Sequence, residues 1–311
     1  MGLKGKKKIY DTIVVGGGPA GLSCALLLGR CLRSVLVFDT GLVRNRFSES
    51  MHAFPSRDGE HPQVFLNKIK SELRVYGIRV WKREIISARK TNEGFELKDG
   101  RKEKYYCKKL LLATGLVDVL PPLDGIEKYY GRGVFHCPYC DGWENRKKPW
   151  AVYAVSARPA VEVCLRLKTW TDDVTLLSAY TKGLKKTDQE LLLRNGISLK
   201  PSPVAELQGK RGNLNAIRFE NGDVMPCEAL FFSTVPKQHS GLAEQLGCRR
   251  TRKGNVDFDK LQQTNVPGLF AAGDMARDMQ LVLIAAAEGA KAAVVINAVL
   301  NKEQRKLSGK F

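Results

Sequence analysis

Along the first third of the chain, apolar runs of strand length alternate with a stretch of helical period. A strand is expected over 11–16, centred on Ile13-Val14-Val15, followed by an apolar helix over 19–31 and a second strand over 34–39. A helix near Pro62–Tyr76 comes next, then β-like segments between Ile78 and Lys104, then the apolar run Leu110-Leu111-Leu112 ending at Ala113-Thr114-Gly115. After Pro121-Pro122, read as a hinge, the pattern restarts with a strand over 150–155, a helix over 159–167 and a strand over 174–179. The tail, Val266 to Asp274 and the long apolar helix after it, reads as the last strand and helix of the first unit. Strand, turn, helix, strand in this order predicts an α/β chain with parallel, doubly wound sheets. Residues 1–116 and 246–311 are expected to form one discontinuous domain, with 117–245 inserted into it.

The turns give this pattern its chemistry. Gly16-Gly17-Gly18-Pro19-Ala20-Gly21 is a G-x-G-x-x-G turn opening the first helix. Gly16 permits the tight bend, Gly18 lets the backbone approach a pyrophosphate, and Gly21 allows close helix packing. Asp39, 18 residues past Gly21, ends the next strand where a carboxylate can accept from ribose hydroxyls. Both domains are therefore expected to be Rossmann-like, three-layer ββα dinucleotide-binding folds. The second turn has the same spacing, but Val155, Ala157 and Ala160 stand at its glycine positions. Between the two turns lies Cys137-Pro138-Tyr139-Cys140, the one close cysteine pair among eight cysteines.

Composition narrows the chemistry further. The cysteines are too sparse for a secreted disulfide framework, and the histidines at 52, 61, 136 and 239 offer no second pair for structural zinc, so redox work is the better reading of Cys137 and Cys140. Cys24 and Cys31, on the first helix, read as core residues. The best membrane candidate, Leu281–Leu300, contains Glu288 and Lys291 and reads as a buried helix. Met1–Lys8 is basic without an apolar run, and Lys6 breaks a myristoylation pattern, so no membrane association and a cytoplasmic location are expected. The net charge of +19 is spread along the chain. It reads either as a solubilising surface or as a field steering acidic partners; nucleic acid is a weaker reading, because no reader motif accompanies the lysines.

Gly16 to Gly21, Ala113-Thr114-Gly115, Cys137 to Asp141, and Ala272-Gly273-Asp274 followed by Met279-Gln280 together resemble the low-molecular-weight thioredoxin reductases, in order and spacing, over essentially the whole chain. These are FAD-dependent pyridine nucleotide-disulfide oxidoreductases of class II. The resemblance implies FAD at Gly16, Gly18, Pro19, Ala20, Gly21, Asp39, Asn45, Thr114, Gly115, Gly273, Asp274 and Gln280, with Gln280 touching the flavin ring. It implies that Cys140 faces the flavin, that Cys137 attacks the partner disulfide and that Asp141 protonates the departing thiolate. It also implies a homodimer and places His52 on a loop that passes the flavin, as an acid or base or as a structural hydrogen-bonding residue.

The resemblance fails at the second turn, where that family binds NADPH. The branched side chain of Val155 is expected to strain the bend and the methyl of Ala157 to crowd a pyrophosphate, and Ser178-Ala179-Tyr180-Thr181-Lys182 lacks the paired arginines that clasp a 2′-phosphate. NADPH is therefore a doubtful donor. An acidic ferredoxin is one alternative; a second FAD stacked among Trp143, Trp150, Tyr153 and Tyr180 is another. Three functions remain open: a disulfide reductase passing electrons through FAD and Cys137/Cys140 to a thioredoxin-like dithiol protein, an oxygen-dependent oxidase of a small dithiol, and a non-catalytic flavin sensor or polyanion-binding module.

Overall fold

The computed structural model describes residues 8–276 and 279–307; of the basic start over 1–8, only Lys8 lies within them. The chain runs β1 (Ile9–Val15), α1 (Pro19–Arg30), β2 (Val35–Asp39), α2 (Pro62–Val75), β3 (Arg79–Lys82), β4 (Ile85–Thr91), β5 (Gly94–Asp99), β6 (Lys104–Leu112) and β7 (Leu116–Val117). It continues with β8 (Val134–Phe135), α3 (Pro138–Asn145), β9 (Trp150–Ala154), α4 (Ala157–Leu167), β10 (Val174–Leu176), α5 (Lys186–Arg194), β11 (Ile197–Leu199), β12 (Val204–Lys210), β13 (Asn213–Phe219), β14 (Val224–Pro226), β15 (Ala229–Ser233) and β16 (Lys237–Gln238). The described chain closes with α6 (Leu242–Gln245), β17 (Leu269–Ala271) and α7 (Val282–Leu307).

Two compact units result. The described residues of 1–46, 53–117 and 238–311 form one, and 47–52 with 118–237 form the other. The second crossing thus falls eight residues earlier than the sequence suggests, because α6 buries Leu242 and Ala243 in the core of the first unit. The first unit is a parallel sheet in the order β3-β2-β1-β6, continued by the antiparallel meander β6-β5-β4, with β17 also paired to β6. The register aligns Val15 with Phe38 on one side and Leu112 on the other, and Ala271 with Leu112, so four strands end at one edge. Ligands bind at such carboxyl edges because helix N-termini and loops converge there.

Helix α1 starts at Pro19, which lacks the N–H that would be unsatisfied at this position, and buries Leu22, Ala25 and Leu28. It packs on α7 closely enough that a side chain at Gly289 would put its first carbon 1.9 Å from the Ala20 carbonyl oxygen. Among the described residues α7 is the one helix with the length and hydropathy of a membrane span. One face of it, including Ala292, Ala293, Ile296 and Leu300, is core, while Leu283 and Val294 are exposed, so the sequence reading of a buried helix holds for one face.

The second unit has a parallel sheet in the order β11-β10-β9-β15-β8 and an antiparallel sheet β12-β13-β14. Trp150, Val152, Phe231 and Leu176 fill one side of the parallel sheet, and Tyr153, Leu230 and Phe232 the other.

Candidate active site

At the first turn, each glycine has its own reason. Gly16 has φ +113°, and a side chain there would meet the Ala113 carbonyl oxygen at 2.1 Å; at Gly21 it would meet the Gly16 oxygen at 1.9 Å. Gly18, the N-cap of α1, faces open space, and no side chain caps that helix end. An uncapped N-terminus beside a glycine with room above it fits a pyrophosphate, whose charge the amides and dipole favour. Pro19 follows at N1, whereas Ala20 has its side chain buried against Gly273, leaving only its backbone for a ligand.

The surrounding groups converge on this edge. Asp39 ends β2 with one carboxylate oxygen accepting from Gly17 N (3.3 Å) and Gly41 N (3.1 Å) and the other held by Lys70 Nζ at 3.1 Å. Each oxygen can accept two bonds, so the lysine-bound oxygen keeps capacity for a ribose hydroxyl. Thr114 Oγ1 lies 3.6 Å from Met275 Sδ, and Gly115 has φ +68°. Gly273, φ +80°, donates its N–H to the buried Glu288 carboxylate of α7 at 2.8 Å. Arg44 donates to both Asp274 (3.0 Å) and Gln280, which ties two of the expected cofactor residues together, and Asn45 is its neighbour. Lys70, Arg44 and Glu288 escape sequence reading because each acts through a fold contact rather than a motif. Glu288 alone carries a sequence signal, as a charge on an otherwise apolar helix. The residues present fit FAD, whose ribose and pyrophosphate would lie at Asp39, Gly18 and Asp274.

In the second unit Cys137 and Cys140 are joined in a disulfide with 5.3 Å between their Cα atoms. Cys137 is the N-cap of α3, where the helix dipole favours a thiolate, and Cys140 and Asp141 donate their backbone N–H groups to the Cys137 carbonyl. Burial, reinforced by the negative charge of Glu144, pushes the Asp141 carboxyl up to about 7. An acid of that strength holds a proton at neutral pH and can still give it up. Beside Cys137, His136 Nδ1 lies 3.9 Å from Asp118 Oδ2, to which Tyr130 donates at 2.6 Å. Burial raises the thiols of Cys24, Cys107, Cys164 and Cys227, which keeps them out of exchange chemistry, while Cys31 lies at the partly exposed end of α1 rather than in the core.

Because the folded protein holds the Asp141 proton more tightly than the unfolded chain, this group favours folding below about pH 4, and the contribution is lost as pH rises through about 7. The stability of Asp141→Asn relative to the unsubstituted protein is therefore expected to increase between pH 4 and pH 8, by roughly 2 to 4 kcal/mol in urea unfolding. A difference that stays flat with pH would mean that the carboxyl titrates normally.

The second turn departs from expectation in its backbone. Neither Val155 nor Ala157 has a positive φ, so the expected strain at Val155 is absent. The helix begins at Ala157, two residues earlier than its sequence suggests, with Ser156 as N-cap, and the three-residue bend of the first turn is reduced to Val155-Ser156. Ser156 then pairs with Lys182: Ala157 N donates to the Lys182 carbonyl at 3.0 Å, and Lys182 N to the Val155 carbonyl at 3.2 Å. The Ala157 N–H, which corresponds in spacing to that of Gly18, is thus already bonded within the chain. Trp150 and Tyr153 are buried at 1% and 4% exposure, and Tyr180 packs on Tyr153 and accepts from Val204 N. Of the four aromatics expected to stack a second flavin, only Trp143, 65% exposed, stands open.

The chain belongs to the pyridine nucleotide-disulphide oxidoreductase family, whose pattern matches residues 10–289. Within it, the relatives are thioredoxin reductases of the low-molecular-weight type, and the chain is a flavin-dependent thiol-disulfide oxidoreductase. It is 33% identical over 277 residues to thioredoxin reductase tcpT of Claviceps purpurea, covering 86% of each chain. Its structure is similar to that of a putative thioredoxin reductase TrxB from Bacillus anthracis, with a TM-score of 0.90 at 28% identity, covering 95% of this chain and 99% of that one. The crystal structure of HlmI matches with a TM-score of 0.92 at 28% identity, over 100% and 97% of the two chains.

Proposed function

We propose that the protein exchanges disulfides through Cys137 and Cys140, coupled to FAD, without NADPH as electron donor. The pairing of Ser156 with Lys182 carries this reading, since it occupies the backbone to which a nicotinamide dinucleotide would bind. Cys137 exchanges with a partner sulfur, Cys140 resolves the mixed disulfide, and Asp141 gives a proton to the departing thiolate. FAD bound at the first turn would supply a two-electron carrier to this dithiol pair. Exposed Tyr139 and Trp143 flank the disulfide on α3 and offer a thioredoxin-like protein or a small dithiol an aromatic surface.

The direction from dithiol to oxygen is the second reading, and the closed turn favours it because it needs no nucleotide. In that direction a substrate dithiol leaves as a disulfide, and Cys137 and Cys140 gain its two electrons and two protons; oxygen is the final acceptor. In the reductase direction an acidic ferredoxin, drawn by the +19 charge, is the donor, and a second flavin finds little exposed aromatic surface. We also propose a cytoplasmic homodimer without membrane or nucleic acid partners. The exposed positions Leu283, Ala287, Val294 and Ala298 along α7, with Lys291 among them, support the dimer.

Anaerobically, NADPH and NADH are expected to leave the visible flavin absorbance unchanged, while excess dithiothreitol bleaches it and air restores it. Rapid bleaching by NADPH would overturn the donor reading. Bleaching by reduced ferredoxin, with none by dithiothreitol, would select the reductase direction.

A further inference from the structure

The segment Phe47–His52 belongs with residues 118–237, although the residues on either side of it lie in the first unit. Side-chain contacts hold it there. Phe47 packs on Tyr130 with ring centroids 5.2 Å apart, Glu49 pairs with Arg132 at 3.0 Å, and His52 Nε2 lies 3.6 Å from Glu144 Oε1. His52 is therefore placed by the inserted unit, a location that its neighbours in sequence do not suggest.

Glu144 stands three residues after Asp141 on α3, a spacing that brings the two carboxylates to neighbouring positions on the helix surface. Glu144 is the charge that reinforces burial in holding the Asp141 proton. The His52 side chain is 20% exposed and that of Glu144 43%, so the contact sits at a partly solvated edge of α3 and is screened less than one fully in water. The other charged groups nearby have partners of their own: Glu49 with Arg132, Asp118 with Tyr130 and His136, Lys148 with Glu228, and Arg146 over the Trp143 ring.

We propose that His52 is a positioning residue for Asp141: by pairing with Glu144 it sets the charge that Asp141 faces along α3 while it passes a proton to the departing thiolate. The inference rests on the reading of Asp141 as that proton's source. With Glu144 held by the His52 ring, Asp141 releases its proton more readily, and the thiolate becomes a thiol as the carboxyl becomes a carboxylate.

The test is a pH titration of aspartate carboxyl carbons by NMR in the oxidised full-length protein, with the Asp141 signal assigned by its loss in Asp141→Asn. Glu144→Gln is expected to lower the Asp141 midpoint by about one unit, and His52→Gln to raise it by about half a unit. In the double variant His52→Gln should add nothing to Glu144→Gln, because its path is gone. An unchanged midpoint in His52→Gln, or a shift that persists without Glu144, would overturn the proposal. If His52→Gln unfolds, His52→Asn and the Glu144→Gln comparison serve in its place. Full exchange activity in Asp141→Asn would sink the reading of Asp141 as proton source, yet leave the titration coupling to be judged separately.

Discussion

Replacing Cys137 with serine is expected to yield a folded, flavin-containing protein whose disulfide exchange is at least about a thousandfold slower. The size of the effect follows from chemistry and position together. A serine hydroxyl at the N-cap of α3 satisfies the helix end as well as cysteine does, so the fold should not suffer. It is not ionised at neutral pH and forms no disulfide, so the step disappears rather than weakens. Cys24, Cys107, Cys164 and Cys227 are buried and cannot take its place. Exchange would be followed with dithiothreitol and a disulfide chromophore, and flavin content by absorbance. Residual turnover near the starting level would place the redox chemistry elsewhere in the chain.

The second large effect separates two glycines of one turn. Gly18→Val is expected to weaken FAD binding by more than about a hundredfold while leaving the apoprotein folded, because the new side chain enters open space that the pyrophosphate would occupy. Gly21→Val should instead compromise folding itself, since its first carbon would lie 1.9 Å from the Gly16 carbonyl oxygen and push α1 off the sheet. Circular dichroism read beside flavin fluorescence distinguishes the two. Normal flavin affinity in a folded Gly18→Val protein would show that the first turn is not the pyrophosphate site.

These contrasts also show where the sequence was informative. The α1 and β2 boundaries were legible to within a residue, because the apolar period and glycine turn act locally. That Ala113 and Gly273 join Gly16 and Asp39 at one edge was expected only through the family resemblance, and the register of β1, β2, β6 and β17 is what brings them there. The Lys70 contact to Asp39, the Arg44 bridge and the Glu288 anchor were not legible: they join residues 31, 230 and 15 positions apart, through side chains whose direction depends on packing. The crossing near 246 was misplaced because α6 is only four residues long and too short to show a period. At the second turn the residue substitutions were visible, but their consequence was not. A glycine-type bend would strain Val155, and the chain avoids it by starting α4 early.

The bond pattern at Ser156 and Lys182 changes how specificity for a nicotinamide could be engineered into this scaffold. Restoring glycines at 155, 157 and 160 would change three side chains and leave the Lys182 peptide against the helix entrance. A successful graft would have to exchange residues 178–182 as well, so that the loop after β10 swings aside and exposes the amide of residue 157. On the proposed reading, any single glycine substitution at these positions meets a backbone already committed to Lys182, so no one step is expected to open the turn.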